Sequence, residues 1–146
     1  MALVQRNGDV RSFHVPSVSG KNLKQVIREN VDTSANVMTD DFNVYSGLSK
    51  EFASHDVIRH KNANFSRREG SKTISTNTVE GYFSLVKRGI TGVYHHVGRQ
   101  HLHRYLSEFD FRYNGREISD GERTLRVIKR TEGKRLRYRE AQNKTV

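Results

Sequence analysis

The most regular alternation of apolar and polar positions in this chain runs from residue 77 to residue 90. At about 100° per residue, the polar side chains of this stretch share an arc of roughly 80° and the apolar ones lie opposite. The polar set is Asn77, Glu80, Ser84 and Lys87, and the apolar set is Val79, Tyr82, Phe83, Val86 and Ile90. The pattern predicts an amphipathic helix that begins at Asn77. Its polar face is either solvated, as on an ordinary surface helix, or lines an active site.

Short apolar runs predict strands in the first part of the chain. Residues 2–6 and 10–15 form a predicted hairpin around Asn7-Gly8, a dipeptide suited to positive φ at both turn positions. Residues 37–39 predict a buried strand that stops on Asp40, and residues 56–59 predict another strand.

Helical spacing of apolar residues predicts three further helices. One is capped by Ser19, one runs from Leu102 to Tyr113, and a short one is anchored by Leu125 and Ile128. Residues 61–76 are polar and nearly aperiodic, which predicts a loop. The order of strands and helices is that of an α/β fold.

The carboxylate of Asp40 is a candidate functional group because it follows a predicted strand directly. In open α/β sheets, active groups gather at the carboxyl ends of strands. A strand-end carboxylate also commonly forms a turn, so position alone leaves both interpretations open.

Charge narrows the class of partner. The chain has 146 residues, a net charge of +10 and a pI near 10.1. Such a surplus favours a polyanionic partner, most simply nucleic acid, although a basic ribosomal or membrane-surface protein also fits. From Glu122 onward, nine Lys or Arg residues stand against three acids, either as a solubilising tail or as contacts to a DNA backbone.

Several classes of protein are disfavoured by what the sequence lacks. The chain has no Cys, so it has neither disulfides nor a cysteine-ligated zinc. No apolar run approaches about 18 residues and no signal peptide opens the chain, so we expect a cytoplasmic protein with no membrane partner.

Long ordered motifs give the chain a family resemblance. The strongest are T-D-D-F-x-x-Y-x-G-L at residues 39–48 and N-T-V-E-G-x-x-S-x-x-K-R-G at residues 77–89, with further motifs at residues 92–97, 101–114 and 133–139. Together they resemble the transposases of bacterial insertion sequences of the ISXO group, over nearly the whole chain. The resemblance implies a ribonuclease H-like fold of the DDE superfamily, in which a mixed sheet is flanked by helices. It also implies DNA transposition by phosphodiester cleavage and strand transfer.

The resemblance implies a catalytic set of residues. Asp40 matches the second aspartate of the family, Asn77 matches its third metal-site residue, and Lys87 matches its lysine. Glu80 lies one helical turn after Asn77 and either reaches the metal or orients Asn77. Asp40 and Asn77 would hold Mg²⁺, with Mn²⁺ as an alternative, because hard cations take oxygen ligands.

The strand that carries the first catalytic aspartate of the family matches no part of this sequence. We therefore expect residues 1–115 to form an incomplete ribonuclease H-like catalytic domain that lacks its first strand. Residues 116–146 are expected to form a basic and partly helical extension. The predicted function is that of a truncated transposase, inactive alone. The alternative is a non-catalytic DNA-binding remnant or an inhibitor of an intact transposase.

The predicted partners are insertion-sequence ends and target DNA, and the family implies a homo-oligomer associated with the nucleoid. The predicted DNA contacts are Lys87, Arg88, Arg104, Arg112, Lys134, Arg135, Arg137 and Arg139. Four histidines, His95, His96, His101 and His103, crowd one stretch and suggest a metal site. A structural or DNA-contacting role for them is the preferred interpretation, because three of the four match family positions outside the metal set.

Overall fold

A computed structural model describes residues 1–59 and 66–134 of the chain. The chain divides into two compact units, Met1–Asn114 and Gly115–Val146. Four α-helices and six strands are present within the described residues, which confirms the α/β class. The division into a catalytic domain of residues 1–115 and a basic extension of residues 116–146 stays a prediction.

The strands form three pairs. In chain order they are β1 (Ala2–Val4), β2 (Val10–Ser12), β3 (Asn36–Asp40), β4 (Ser54–Ile58), β5 (Ser66–Glu69) and β6 (Lys72–Ser75). β1 pairs with β2 and β5 with β6, both antiparallel, whereas β3 and β4 are parallel. The α-helices are α1 (Gly20–Asn30), α2 (Asn77–Gly89), α3 (Leu102–Asn114) and α4 (Asp120–Thr131).

Strand β1 lies between two hydrophobic clusters. The α2–α3 cluster comprises Val10, Tyr82, Val86 and Leu106, and the α1 cluster comprises Ile27, Leu48 and Phe52. Ala2 and Val4 pack against the α2–α3 cluster, while Met1 and Leu3 pack against the α1 cluster. Because successive side chains of a strand point to opposite faces, this alternation gives the strand a helical layer on either side.

Side chains of α3 cover the outer edge of β2. Asn114 accepts the N–H of Val10 at 2.7 Å through Oδ1 and donates from Nδ2 to the carbonyl of Val10 at 2.9 Å. Asp110 accepts the N–H of Ser12 at 2.7 Å through Oδ2. Backbone groups at a strand edge otherwise lack partners, so α3 takes the place of a neighbouring strand there.

A hydroxyl network fixes α2 against the same edge. The side chain of Tyr82 is fully buried, and its hydroxyl donates to Oδ1 of Asp110 at 2.6 Å and lies 2.7 Å from Oγ of Ser12. Burial, together with the hydrogen bond to Asp110, raises the pKa of Tyr82 well above its ordinary value. The network therefore joins α2, α3 and β2 through one neutral phenol.

Helices α2 and α3 approach closely at Gly89. A Cβ placed on Gly89 would lie 2.4 Å from Cζ of Phe109, far inside van der Waals contact. Only glycine allows this approach without a shift of the ring. Beyond Gly89 the chain continues into a π-helical turn, Ile90–Tyr94.

Two predictions about loops and turns are wrong. The loop predicted for residues 61–76 contains the β5–β6 hairpin; residues 61–65 lie outside the described residues. All four residues of β5 are exposed and only Ile74 of β6 is fully buried, so no apolar alternation marked either strand. In the first hairpin, Asn7 has a φ of 58° but Gly8 is not in the positive-φ region.

The remaining elements lie close to their predicted places. Ser19 caps α1 by accepting the N–H of Asn22 at 3.3 Å. The predicted short C-terminal helix exists as α4, but Leu125 and Ile128 are each 59% exposed and therefore do not anchor it. No helix among the described residues is both long and apolar enough to cross a membrane.

Candidate functional site

Asp40 is the last residue of β3, as predicted, and lies opposite Ile58 in the parallel register with β4. Its Oδ1 accepts the N–H of Phe42 at 3.3 Å, so the carboxylate does form a turn. Burial and, to a lesser extent, the nearby charge of Asp40 raise the pKa of Tyr45. Oδ2 of Asp40 makes no hydrogen bond or ion pair with any other described residue, so turn formation leaves one carboxylate oxygen free.

The strand end beside Asp40 is held by two residues that the sequence analysis missed. The hydroxyl of Thr39 donates to the carbonyl of Asp40 at 2.8 Å and lies 2.9 Å from Nε2 of His55. Because that hydroxyl has a single hydrogen, His55 is the donor in the second contact. Burial lowers the pKa of His55 and outweighs the opposite effect of the Asp56 charge. The lowered pKa favours the neutral form of the ring. A lone histidine in a strand gives no sequence signal for this role.

The start of α2 is fixed by side chains around Glu80. Thr76 is 6% exposed, and its hydroxyl donates to Oε1 of Glu80 at 2.5 Å. The N–H of Asn77 donates to Oγ of Ser75 at 3.1 Å. The side chain of Asn77 is exposed and makes no hydrogen bond to another described residue, so its amide remains available. The sequence pattern points to Glu80 and Asn77, but it gives no signal for the roles of Ser75 and Thr76.

The predicted orientation of α2 is confirmed. Tyr82 and Val86 are buried on its inner face, and Asn77, Ser84 and Lys87 are exposed on its outer face. Glu80 is half-buried at the boundary between the two faces.

The strand that leads into Asn77 is fastened to the strands beside Asp40. β6 contacts both β3 and β4. Arg6 bridges β6 and β3, because it donates from Nη1 to the carbonyl of Thr73 at 2.6 Å and from Nη2 to Sδ of Met38 at 3.2 Å. Lys72 of β6 donates from Nζ to Oδ2 of Asp56 in β4 at 2.5 Å. These contacts place the element before Asn77 against the strand that ends on Asp40. That the two side chains share one metal site stays a prediction.

The predicted DNA contacts differ in their availability. Lys87, Arg88 and Arg104 are exposed and make no ion pair with another described residue. Arg112 instead forms an ion pair with Glu108 at 2.9 Å. Glu108 also accepts a hydrogen bond from the hydroxyl of Tyr94 at 2.7 Å. Lys134 is exposed, and Arg135, Arg137 and Arg139 lie outside the described residues.

The described residues contain no group of three or more His, Cys, Asp or Glu side chains arranged to hold a metal ion. The four neighbouring histidines, His95, His96, His101 and His103, are all exposed. His95 has a φ of 56°, and the N–H of His96 donates to the carbonyl of Tyr94 at 2.5 Å around it. His95 is thus the central residue of a strained three-residue turn from Tyr94 to His96.

Comparison with known proteins gives the context for this geometry. A family model described as the ISXO2-like transposase domain matches residues 1–114, the same span as the first compact unit. An uncharacterized transposase-like protein of Haemophilus influenzae is 29% identical over 104 residues, which cover 71% of this chain and 80% of that protein. No solved structure matches. Because the family model spans well over half of the sequence, including β3 and α2, the chain belongs to the ISXO2-like transposase family.

Proposed function

We propose that this chain acts in DNA transposition through DDE-type chemistry on a ribonuclease H-like scaffold. Membership in the ISXO2-like transposase family supports a role in transposition. The observation that carries the finer proposal is the outer face of α2, where Asn77 and Lys87 are exposed and have no partner among the described residues. The strand before this helix contacts the strand that ends on Asp40.

Each proposed catalytic residue has a distinct task. Asp40 and Asn77 would hold a divalent ion, and Lys87 would bind a DNA phosphate as a point cation. Glu80 fits an orienting role better than direct ligation, because the buried hydroxyl of Thr76 already donates to its carboxylate. Glu80 would thereby fix the first turn of α2 and the position of Asn77.

The donor chemistry suits Mg²⁺ or Mn²⁺, but the described residues supply an incomplete set. Asp40 offers a carboxylate oxygen and Asn77 a neutral amide oxygen, both hard ligands. No group of three or more acidic, His or Cys side chains gathers there within residues 1–59 and 66–134. When bound, the metal would stabilise the attacking and leaving oxygens at a phosphodiester. We therefore propose that cleavage requires the further aspartate that the family resemblance implies.

The test is a strand-transfer assay with insertion-sequence terminal repeats and Mg²⁺. It compares the 146-residue chain with a version extended upstream to include an aspartate-bearing strand. We expect activity only in the extended protein, and we expect Asp40→Ala or Asn77→Ala to abolish it. Asp41→Ala is the matched control, since Asp41 is an exposed carboxylate one residue away. Activity that survives Asp40→Ala would refute the assignment.

A second candidate is a non-catalytic DNA-binding protein that inhibits an intact transposase. The incomplete set of donors among the described residues favours this second function. It predicts that adding this chain to an active transposase lowers strand transfer in proportion to the DNA ends that it occupies. Proportional inhibition that persists in Asp40→Ala would separate this function from catalysis.

A further inference from the structure

Helix α2 contains two glycines, and packing among residues 1–59 and 66–134 explains only one of them. Gly89 is required because a Cβ there would lie 2.4 Å from the ring of Phe109. At Gly81 the situation is the reverse, because among the described residues no atom beyond the adjoining residues and the backbone of the helix itself lies within 4 Å of an added Cβ. Gly81 is exposed and is the fifth residue of the helix. A methyl group would therefore fit there without any clash.

Gly81 carries a cost that the described fold does not require. Glycine in a helix interior loses more backbone entropy on folding than alanine does and is destabilising. Its φ is not positive, so no special backbone conformation demands glycine. Local rules that are broken without an internal reason are expected at functional sites.

The place of Gly81 on the helix links it to the candidate site. It lies one turn after Asn77, about 40° around the helix axis, and two turns before Arg88. It therefore belongs to the outer face that also carries Ser84 and Lys87. The acid of this face, Glu80, accepts a hydrogen bond from Thr76.

The charge around this face suits a polyanion. From Gly81 to Ser107 the sequence contains no Asp or Glu. Lys87 and Arg88 are exposed on α2 and make no ion pair with another described residue. Both stand within two turns of Gly81, close enough to flank a chain of phosphates that crosses the helix there.

We propose that Gly81 marks the point at which the sugar–phosphate backbone of substrate DNA lies directly on α2. The missing side chain lets the DNA backbone approach the helix closely, between Asn77 and the cations Lys87 and Arg88. This inference rests on the proposed transposase function. It adds that the substrate DNA contacts the outer face of α2 at Gly81.

The test measures binding of the full chain to a short duplex by fluorescence anisotropy at several salt concentrations, beside thermal unfolding. Gly81→Ala should raise the dissociation constant by about three- to tenfold and Gly81→Gln by more, since each side chain holds the phosphates further away. Both variants should raise the unfolding midpoint by a few degrees, because each is a better helix former. Gly121→Ala is the matched control, because Gly121 is also exposed and lies in α4, and an added Cβ there meets no described residue within 4 Å beyond its own helix backbone and chain neighbours.

A variant of Arg88 tests the phosphate contact itself. Arg88→Gln should reduce the slope of log affinity against log salt by about 0.9, as expected for one lost phosphate contact. An unchanged slope would overturn the placement of the backbone beside Gly81.

Other results would overturn the inference at distinguishable points. If the unaltered chain fails to bind duplex DNA, the proposed function fails and this inference falls with it. If the chain binds but Gly81→Ala and Gly81→Gln bind equally well, only the inference fails. It also fails if Gly81→Ala lowers the unfolding midpoint, or if Gly81→Gln alters only self-association in sedimentation, since the glycine would then serve a protein contact.

Discussion

Replacement of Asn114 with alanine should strongly destabilise residues 1–114. The side chain of Asn114 makes two hydrogen bonds to the backbone of Val10, at 2.7 Å and 2.9 Å, and so completes the outer edge of β2. Val10 is only 3% exposed. The change to alanine removes both partners at once and leaves a buried donor and acceptor unpaired.

The magnitude follows from these two contacts. An unsatisfied buried polar group costs about 1–3 kcal/mol. Both hydrogen bonds here are only partly buried, so each should contribute about 1–2 kcal/mol, and the loss of both should lower the free energy of unfolding by about 2–4 kcal/mol. A domain of this size unfolds with an entropy near 0.24 kcal/mol/K, which converts that loss to about 8–17 °C in the unfolding midpoint. Typical domains have only about 5–15 kcal/mol to lose.

The assay is thermal and urea unfolding followed by circular dichroism. Ser107→Ala is the control on the same helix, because Ser107 is exposed and its hydroxyl donates only to the carbonyl of His103, at 2.9 Å. It should change stability by less than about 0.5 kcal/mol. An unfolding midpoint for Asn114→Ala within about 2 °C of that of the unaltered protein would refute the proposal that Asn114 stabilises the outer edge of β2.

Three further predictions concern the interior of the same unit. Gly89→Ala should cost about 1–3 kcal/mol by clashing with Phe109, and Phe109→Leu in the same chain should recover part of that loss in urea unfolding. The free energy of unfolding should fall above about pH 10, because the raised pKa of Tyr82 in the folded chain means that the unfolded chain loses the phenol proton first. Tyr82→Phe should make this fall with pH less steep. Equal slopes in both proteins would contradict the prediction. Thr76→Val should cost about 1 kcal/mol in thermal unfolding, through the lost hydrogen bond to Glu80.

Helix α2 could be predicted in detail because its information is local. Nine positions alternate at helical spacing, and the same spacing separates Tyr82 and Val86 in the core from Asn77 and Lys87 outside. The strand end at Asp40 was equally readable, since a short apolar run stops there. Both predictions depend on residues within a few turns of each other.

The contacts that hold this helix in place could not be predicted. Asn114 meets Val10 across 104 residues, and Asp110 meets Ser12 across 98. On α3 these two side chains have the i, i+4 spacing of an ordinary polar face. Nothing local distinguishes a side chain that completes a strand edge from one that is solvated.

The interactions of α2 are divided between its faces in a way that bears on function. Its inner face is fixed by Tyr82 and Gly89, and its first turn by the bond between Thr76 and Glu80. Its outer face leaves Asn77 and Lys87 without partners among the described residues. A site built this way holds its reactive groups on a rigid element while leaving them free for substrate. Inner-face variants should therefore mainly change the unfolding midpoint, and variants of Asn77 and Lys87 on the outer face should mainly change affinity for DNA. Gly81 is the exception, because its replacement also changes the helix propensity of α2.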